Sequence, residues 1–93
     1  MKTKKDLIDF FNKNHGLPVS TVWKDSSGEI YKQANRFIFK ANTKDFIFKT
    51  EDGNLTFLTL PKKENLIIFE NKKGFSVKNE VLGGFIEYYF LTK

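Results

Sequence analysis

The side chains able to do chemistry are few and scattered. The chain of 93 residues has one histidine, His15, and no cysteine. That excludes a disulfide framework, a thiolate zinc site, a cysteine nucleophile and any metal site built on two imidazoles. His15 stands beside Gly16 at the end of a helical pattern, where a protonated imidazole suits the negative end of the helix dipole. No nucleophile or orienting acid can be assigned to it. Ser20, Ser26, Ser27 and Ser76 lie outside the nucleophile-elbow pattern. Asp25-Ser26-Ser27-Gly28-Glu29 lacks the alternating acids and distal glutamate of a calcium loop and reads as a turn. Glu51 and Asp52 are neighbours in a turn, unlike a facing acid–base pair. The glycines are dispersed, and none opens a helix as a phosphate-cradling loop. The expectation is a protein that is no enzyme and uses no metal or cofactor.

What remains is a combination of cations and aromatic rings. Trp23, Lys32, Arg36, Lys40 and Lys49 form the candidate contact set. The formal net charge is +5, from 16 Lys and Arg against 11 acids, and Arg36 is the one arginine. Lys, Asn, Phe and Ile make up over two-fifths of the chain. Their codons are AT-rich, so the lysine excess reflects genome composition as well as any partner. A nucleic-acid binder would also draw on arginine, whose planar fork donates two hydrogen bonds at once.

The elements that must position these residues are legible from periodicity. Leu7, Ile8, Phe10 and Phe11 fall within an arc of about 160° on a helix. Thr3 and Asp6 are spaced as a capping box, and Gly16 and Pro18 stop the helix. This predicts one amphipathic helix over about 3–15. From 19 to about 92 the texture is short β runs separated by turns, over 19–24, 29–40, 45–50, 55–60, 66–70, 75–81 and 85–91. The connections are too short for parallel crossovers, so the sheet is expected to be antiparallel. The fold class is α+β, one domain, with the helix packed on a twisted sheet of five to seven strands. Such a meander of hairpins can curl into a half-barrel. No apolar run approaches the length of about 18 residues that spans a membrane, and Asp9 interrupts the apolar stretch behind the basic start. The expected location is the cytoplasm.

Pairing follows from the turns. With Asp52-Gly53 as a two-residue hairpin loop, Phe48 faces Phe57. Setting Phe39 opposite Phe46 then brings Phe37 opposite Phe48 and Arg36 opposite Lys49. One face collects Phe37, Phe39, Phe46, Phe48, Leu55 and Phe57 as a core under the helix. The other collects Ile38, Ile47 and Leu58 within a rim of Arg36, Lys40 and Lys49, extended by Ile30, Lys32, Ala34 and Trp23. The last strand carries apolar residues on both sides and is expected to be covered on both, by a central place in the sheet, by folding over the basic face, or in a subunit interface. Trp23, Tyr31, Tyr88 and Tyr89 are the candidate exposed aromatics.

Two functions compete. The first is a small non-catalytic module that binds or inhibits another protein, with a phage or mobile element of an AT-rich bacterium as its source and a host defence protein as its target class; a homodimer is compatible with this. The second is nucleic-acid binding through the basic, partly aromatic sheet face, aided by Lys62-Lys63 and Lys72-Lys73. No RRM, KH, cold-shock or helix-turn-helix signature supports the second.

Overall fold

The computed structural model describes residues 2–91; the expected β region ends at 92, which lies outside them. Helix α1 spans Lys4–Lys13. The Thr3 side chain accepts the Asp6 N–H at 3.2 Å, while the Asp6 carboxylate accepts the Thr3 N–H at 3.1 Å. These two bonds satisfy donors that a helix start leaves free. The capping box also holds the Asp6 carboxyl below its ordinary range, chiefly through the N–H groups of Lys2 and Thr3.

Seven strands follow: β1 (Pro18–Lys24), β2 (Ile30–Ala41), β3 (Asp45–Thr50), β4 (Leu55–Thr59), β5 (Leu66–Ile68), β6 (Gly74–Lys78) and β7 (Phe85–Phe90). They form one sheet in the order β4-β3-β2-β1-β7-β6-β5, every neighbouring pair antiparallel. The expected α+β architecture is therefore present. The sheet is open, because β4 and β5 each have one neighbour. It is strongly curled all the same. Phe48 on β3 and Tyr88 on β7 stack with centroids 5.3 Å apart, although β2 and β1 lie between their strands. β7 sits between β1 and β6, so the last strand is central and covers neither face.

Phe11 anchors the core. Fully buried, it meets Phe46 at 4.7 Å, Phe48 at 5.3 Å, Phe90 at 5.8 Å and Phe75 at 6.3 Å. Leu7, Val19, Ile38 and Val77 complete it. The helix is tied to β2 by Asn12, whose side-chain oxygen accepts the Ala41 N–H at 3.0 Å.

Across β2, β3 and β4 the register departs from the expectation at two places, and the faces change with it. The β3–β4 loop has three residues, Glu51-Asp52-Gly53, with Gly53 at φ +87°. Thr50 N–H donates to the Asn54 carbonyl, and Gly53 N–H donates to the Thr50 carbonyl. This is the three-residue hairpin with glycine in the left-handed position. It sets Phe48 opposite Thr56 and Ile47 opposite Phe57. In β2 the register with β3 shifts between Ile38 and Lys40, leaving Phe39 as the extra residue of a bulge. Gly16 N–H donates to the Ile38 carbonyl, Ile38 N–H donates to the Leu17 carbonyl, and Asn12 holds Ala41. These ties fix the backbone on both sides of Phe39, so the extra residue is accommodated there.

Each one-residue slip turns a strand over relative to its neighbour. Ile38 pairs with Phe48, so Ile38 joins the core and Phe37 pairs with Lys49 on the reverse. Of the expected core phenylalanines, Phe46 and Phe48 are buried and Phe37 and Phe39 half-buried. Leu55 and Phe57 are exposed, Phe57 at 62%. Arg36 pairs with Thr50, not with Lys49, and the two cations lie on opposite faces.

Candidate binding surface

The helix-facing side of β1 carries Val19, Thr21 and Trp23, paired across with Arg36, Ala34 and Lys32 of β2. Trp23 and Lys32 are direct cross-strand partners because the β1–β2 register shifts just beyond them. The Lys32 Nζ lies 4.7 Å from the Trp23 ring centroid, and the Arg36 guanidinium carbon 5.1 Å. Both are within cation–π range. The aromatic contacts of the helix go to Phe46, Phe48, Phe75 and Phe90, so this trio stands beyond the part of the curl that the helix fills.

Arg36 is half-buried, and its Nη1 donates to the Thr56 hydroxyl at 3.2 Å. Among the described residues the one ion pair is Lys24 with Glu87 at 2.9 Å, so neither Lys32 nor Arg36 has a carboxylate partner. The nearby Tyr88 phenol is pushed up to about 12 by burial, with the Arg36 charge pulling the other way. On the reverse face, burial works against the charge of Glu87. Hydrogen bonds from Tyr89 and Lys24 more than offset it and hold that carboxyl below its ordinary value.

β2 also overhangs its neighbour. It has 12 residues, and β3 pairs with it only from Arg36 onward. Ile30–Asn35 therefore has β1 on one side and no strand on the other. Ile38 exchanges hydrogen bonds on the β1 side, and strand backbone groups alternate in direction. It follows that Gln33 and Asn35 point their N–H and C=O groups to the open side. A cavity of about 550 Å³ runs along this edge, lined by Lys32, Gln33, Ala34, Asn35, Arg36 and the turn at Thr50 and Glu51, with Ser20 beside them. Tyr31, next to Lys32 in the chain, is exposed.

Of the five residues singled out from sequence, Trp23, Lys32 and Arg36 come together. Lys40 and Lys49 do not: the bulge at Phe39 puts Lys40 opposite Ile47, and Lys49 lies opposite Phe37 and Leu55. Tyr88, expected to be exposed, is buried between Phe48 and Phe75. Tyr89 is half-buried against Phe69. Sequence reasoning missed Thr50, Thr56, Gln33 and Asn35. The available signal was length, since a 12-residue strand beside a six-residue one must leave part of its edge unpaired. His15 is exposed with its ring 5.4 Å from Phe39, and no three His, Asp or Glu side chains converge among the described residues. No helix of the described chain is long and apolar enough to cross a membrane.

No protein-family model matches the chain, and no match was found among curated proteins or solved structures.

Proposed function

We propose that this chain is a small non-catalytic module that binds another protein and occludes it. Its docking surface is the overhanging half of β2 together with Trp23, Lys32 and Arg36. The observation that carries the reading is a half-buried arginine with no carboxylate partner among the described residues, its guanidinium carbon 5.1 Å from the Trp23 ring centroid, beside an unpaired backbone edge. An extended acidic segment satisfies both features. Its backbone adds a strand along Gln33 and Asn35, and its carboxylate accepts from Arg36 and Lys32. Such a contact is made of groups that a preformed sheet already holds in place, so little ordering is needed on this side of the interface. The competing nucleic-acid reading draws on a continuous basic face, and the division of Arg36 from Lys40 and Lys49 weighs against it.

The test uses the wild-type chain and the double variant Lys32→Gln/Arg36→Gln, each immobilised and exposed to lysate of the source cell. In parallel, the single tryptophan, Trp23, reports by fluorescence on titration with short single- and double-stranded DNA and RNA. The expected result is a protein retained by the wild type and lost with the double variant, with no salt-sensitive nucleic-acid binding. Oligonucleotide binding that falls steeply with salt overturns the reading in favour of nucleic acid.

A further inference from the structure

We infer that the β4 edge is a self-association surface, pairing with β4 of a second copy about a twofold axis at Phe57. The inference rests on a different edge from the docking surface above and does not depend on it. Sheet edges in soluble proteins are shielded by charge, proline, bulges or shortness. β5, at the other end of the sheet, has three residues. β4 has five, Leu-Thr-Phe-Leu-Thr, with no bulge in its pairing to β3. In a chain with 15 lysines, the stretch 53–61 contains no charged residue at all. Phe57 is 62% exposed and Leu55 44% exposed, both on the reverse face beside Ile47.

The hydrogen bonds flanking β4 fix which backbone groups are free. Thr50 N–H donates to the Asn54 carbonyl at 2.7 Å, and Leu60 N–H donates to the Lys44 carbonyl at 2.8 Å. Residues 54 and 60 thus face β3, and by alternation so do 56 and 58. Leu55, Phe57 and Thr59 then direct their N–H and C=O groups to the open edge. An antiparallel second copy centred on Phe57 matches this set with itself. Phe57 meets Phe57 of the second copy, and Leu55 meets Thr59 on either side. Each is a hydrogen-bonded pair, which gives roughly six backbone bonds across the axis. On the reverse face the two exposed phenyl rings come side by side.

The occupant is a second copy because the strand is its own complement in both hydrogen-bond pattern and side chains. Two copies, each of net charge +5, repel one another, and pairing through β4 brings together strands that carry no lysine of their own. The nearest cation on the reverse face is Lys49, which lies across from Leu55 on β3 and so is set back one strand from the open edge. Two five-residue strands bury less than a standard interface, so the dimer is weak and concentration-dependent.

Sedimentation velocity over a dilution series tests this, with circular dichroism to verify folding. The wild type is expected to shift reversibly from monomer to dimer as concentration rises. Phe57→Lys is expected to stay monomeric, while Ile67→Lys, on the opposite edge, dimerises like the wild type. Because the chain has no cysteine, Phe57→Cys adds a register test. A hydrogen-bonded antiparallel pair holds its Cα atoms about 5.5 Å apart, within disulfide range, so this variant forms a covalent dimer on mild oxidation. Leu55→Cys, offset from its own copy across the axis, is expected to crosslink at least tenfold more slowly. A wild type that stays monomeric throughout, a Phe57→Lys variant that dimerises unchanged, or equal crosslinking at 55 and 57 would each overturn the inference.

Discussion

Tyr88 shows how much one side chain is asked to do. Its ring is sandwiched between Phe48 and Phe75 at 5.3 and 4.7 Å, and so bridges the two halves of the curled sheet. Burial raises its phenol from 10.0 to about 12. Tyr89, on the reverse face, is raised to about 12 as well, first by burial and then by its hydrogen bond to Glu87. In the unfolded chain both ionise near 10, so the folded state holds these protons more tightly. The stability they contribute is complete below pH 10 and is lost as pH climbs from 10 toward 12. Urea unfolding at pH 9 and pH 11 is expected to show a marked fall for the wild type and a smaller one for Tyr88→Phe. Equal falls would mean that Tyr88 is not the buried phenol described. Its burial was hidden from the sequence because Phe85–Leu91 is apolar on both sides, and alternation alone does not choose a face. The trio of Trp23, Lys32 and Arg36 was legible, since the three share one parity within a single hairpin.

At the scale of the elements, turns and packing set the register that side-chain pattern left ambiguous. The Asp52-Gly53 hairpin signal located the β3–β4 turn, but loop length decides parity, and one extra residue moved Leu55 and Phe57 from the core to the surface. The bulge at Phe39 has no local signature, because it arises from the chain after α1 pairing with Ile38. The capping box, by contrast, is wholly local and was read directly from Thr3 and Asp6. The β6–β7 pair carries a constraint of its own. Gly74 is buried, and a Cβ there would run into the Tyr88 carbonyl and crowd the Phe69 ring. Gly74→Ala is therefore expected to cost about 1–3 kcal/mol by forcing β6 away from β7. Gly28→Ala, at φ +89° with open space around it, is expected to cost only the left-handed penalty of about 1–2 kcal/mol and to leave the sheet intact. Amide protection across β6 and β7, measured for both variants, separates the two effects. Loss confined to Gly74→Ala supports the close approach, and unchanged protection in that variant refutes it.

For the molecule as a whole, the curled sheet gives a lysine-rich chain two edges of different character. One is the overhang of β2, bordered by Arg36 and Lys32, which pair with no carboxylate among the described residues, and by Glu51 at the turn; the other is β4, without charge. The α+β class, the helix and the antiparallel order of hairpins followed from periodicity. A central place for β7 was one of three arrangements its two-sided apolar pattern allowed, but the pairing with β1 that selects it was not legible, because long-range pairing between the first and last strands leaves no mark in local pattern. The central claim is that a partner strand docks on the β2 overhang. Amide hydrogen exchange, compared between the free chain and its complex with the captured partner, reads that edge directly. Slowed exchange at Gln33 and Asn35 on complex formation is the predicted result. Unchanged exchange there, with protection instead around Lys62-Lys63 or Lys72-Lys73, would contradict it.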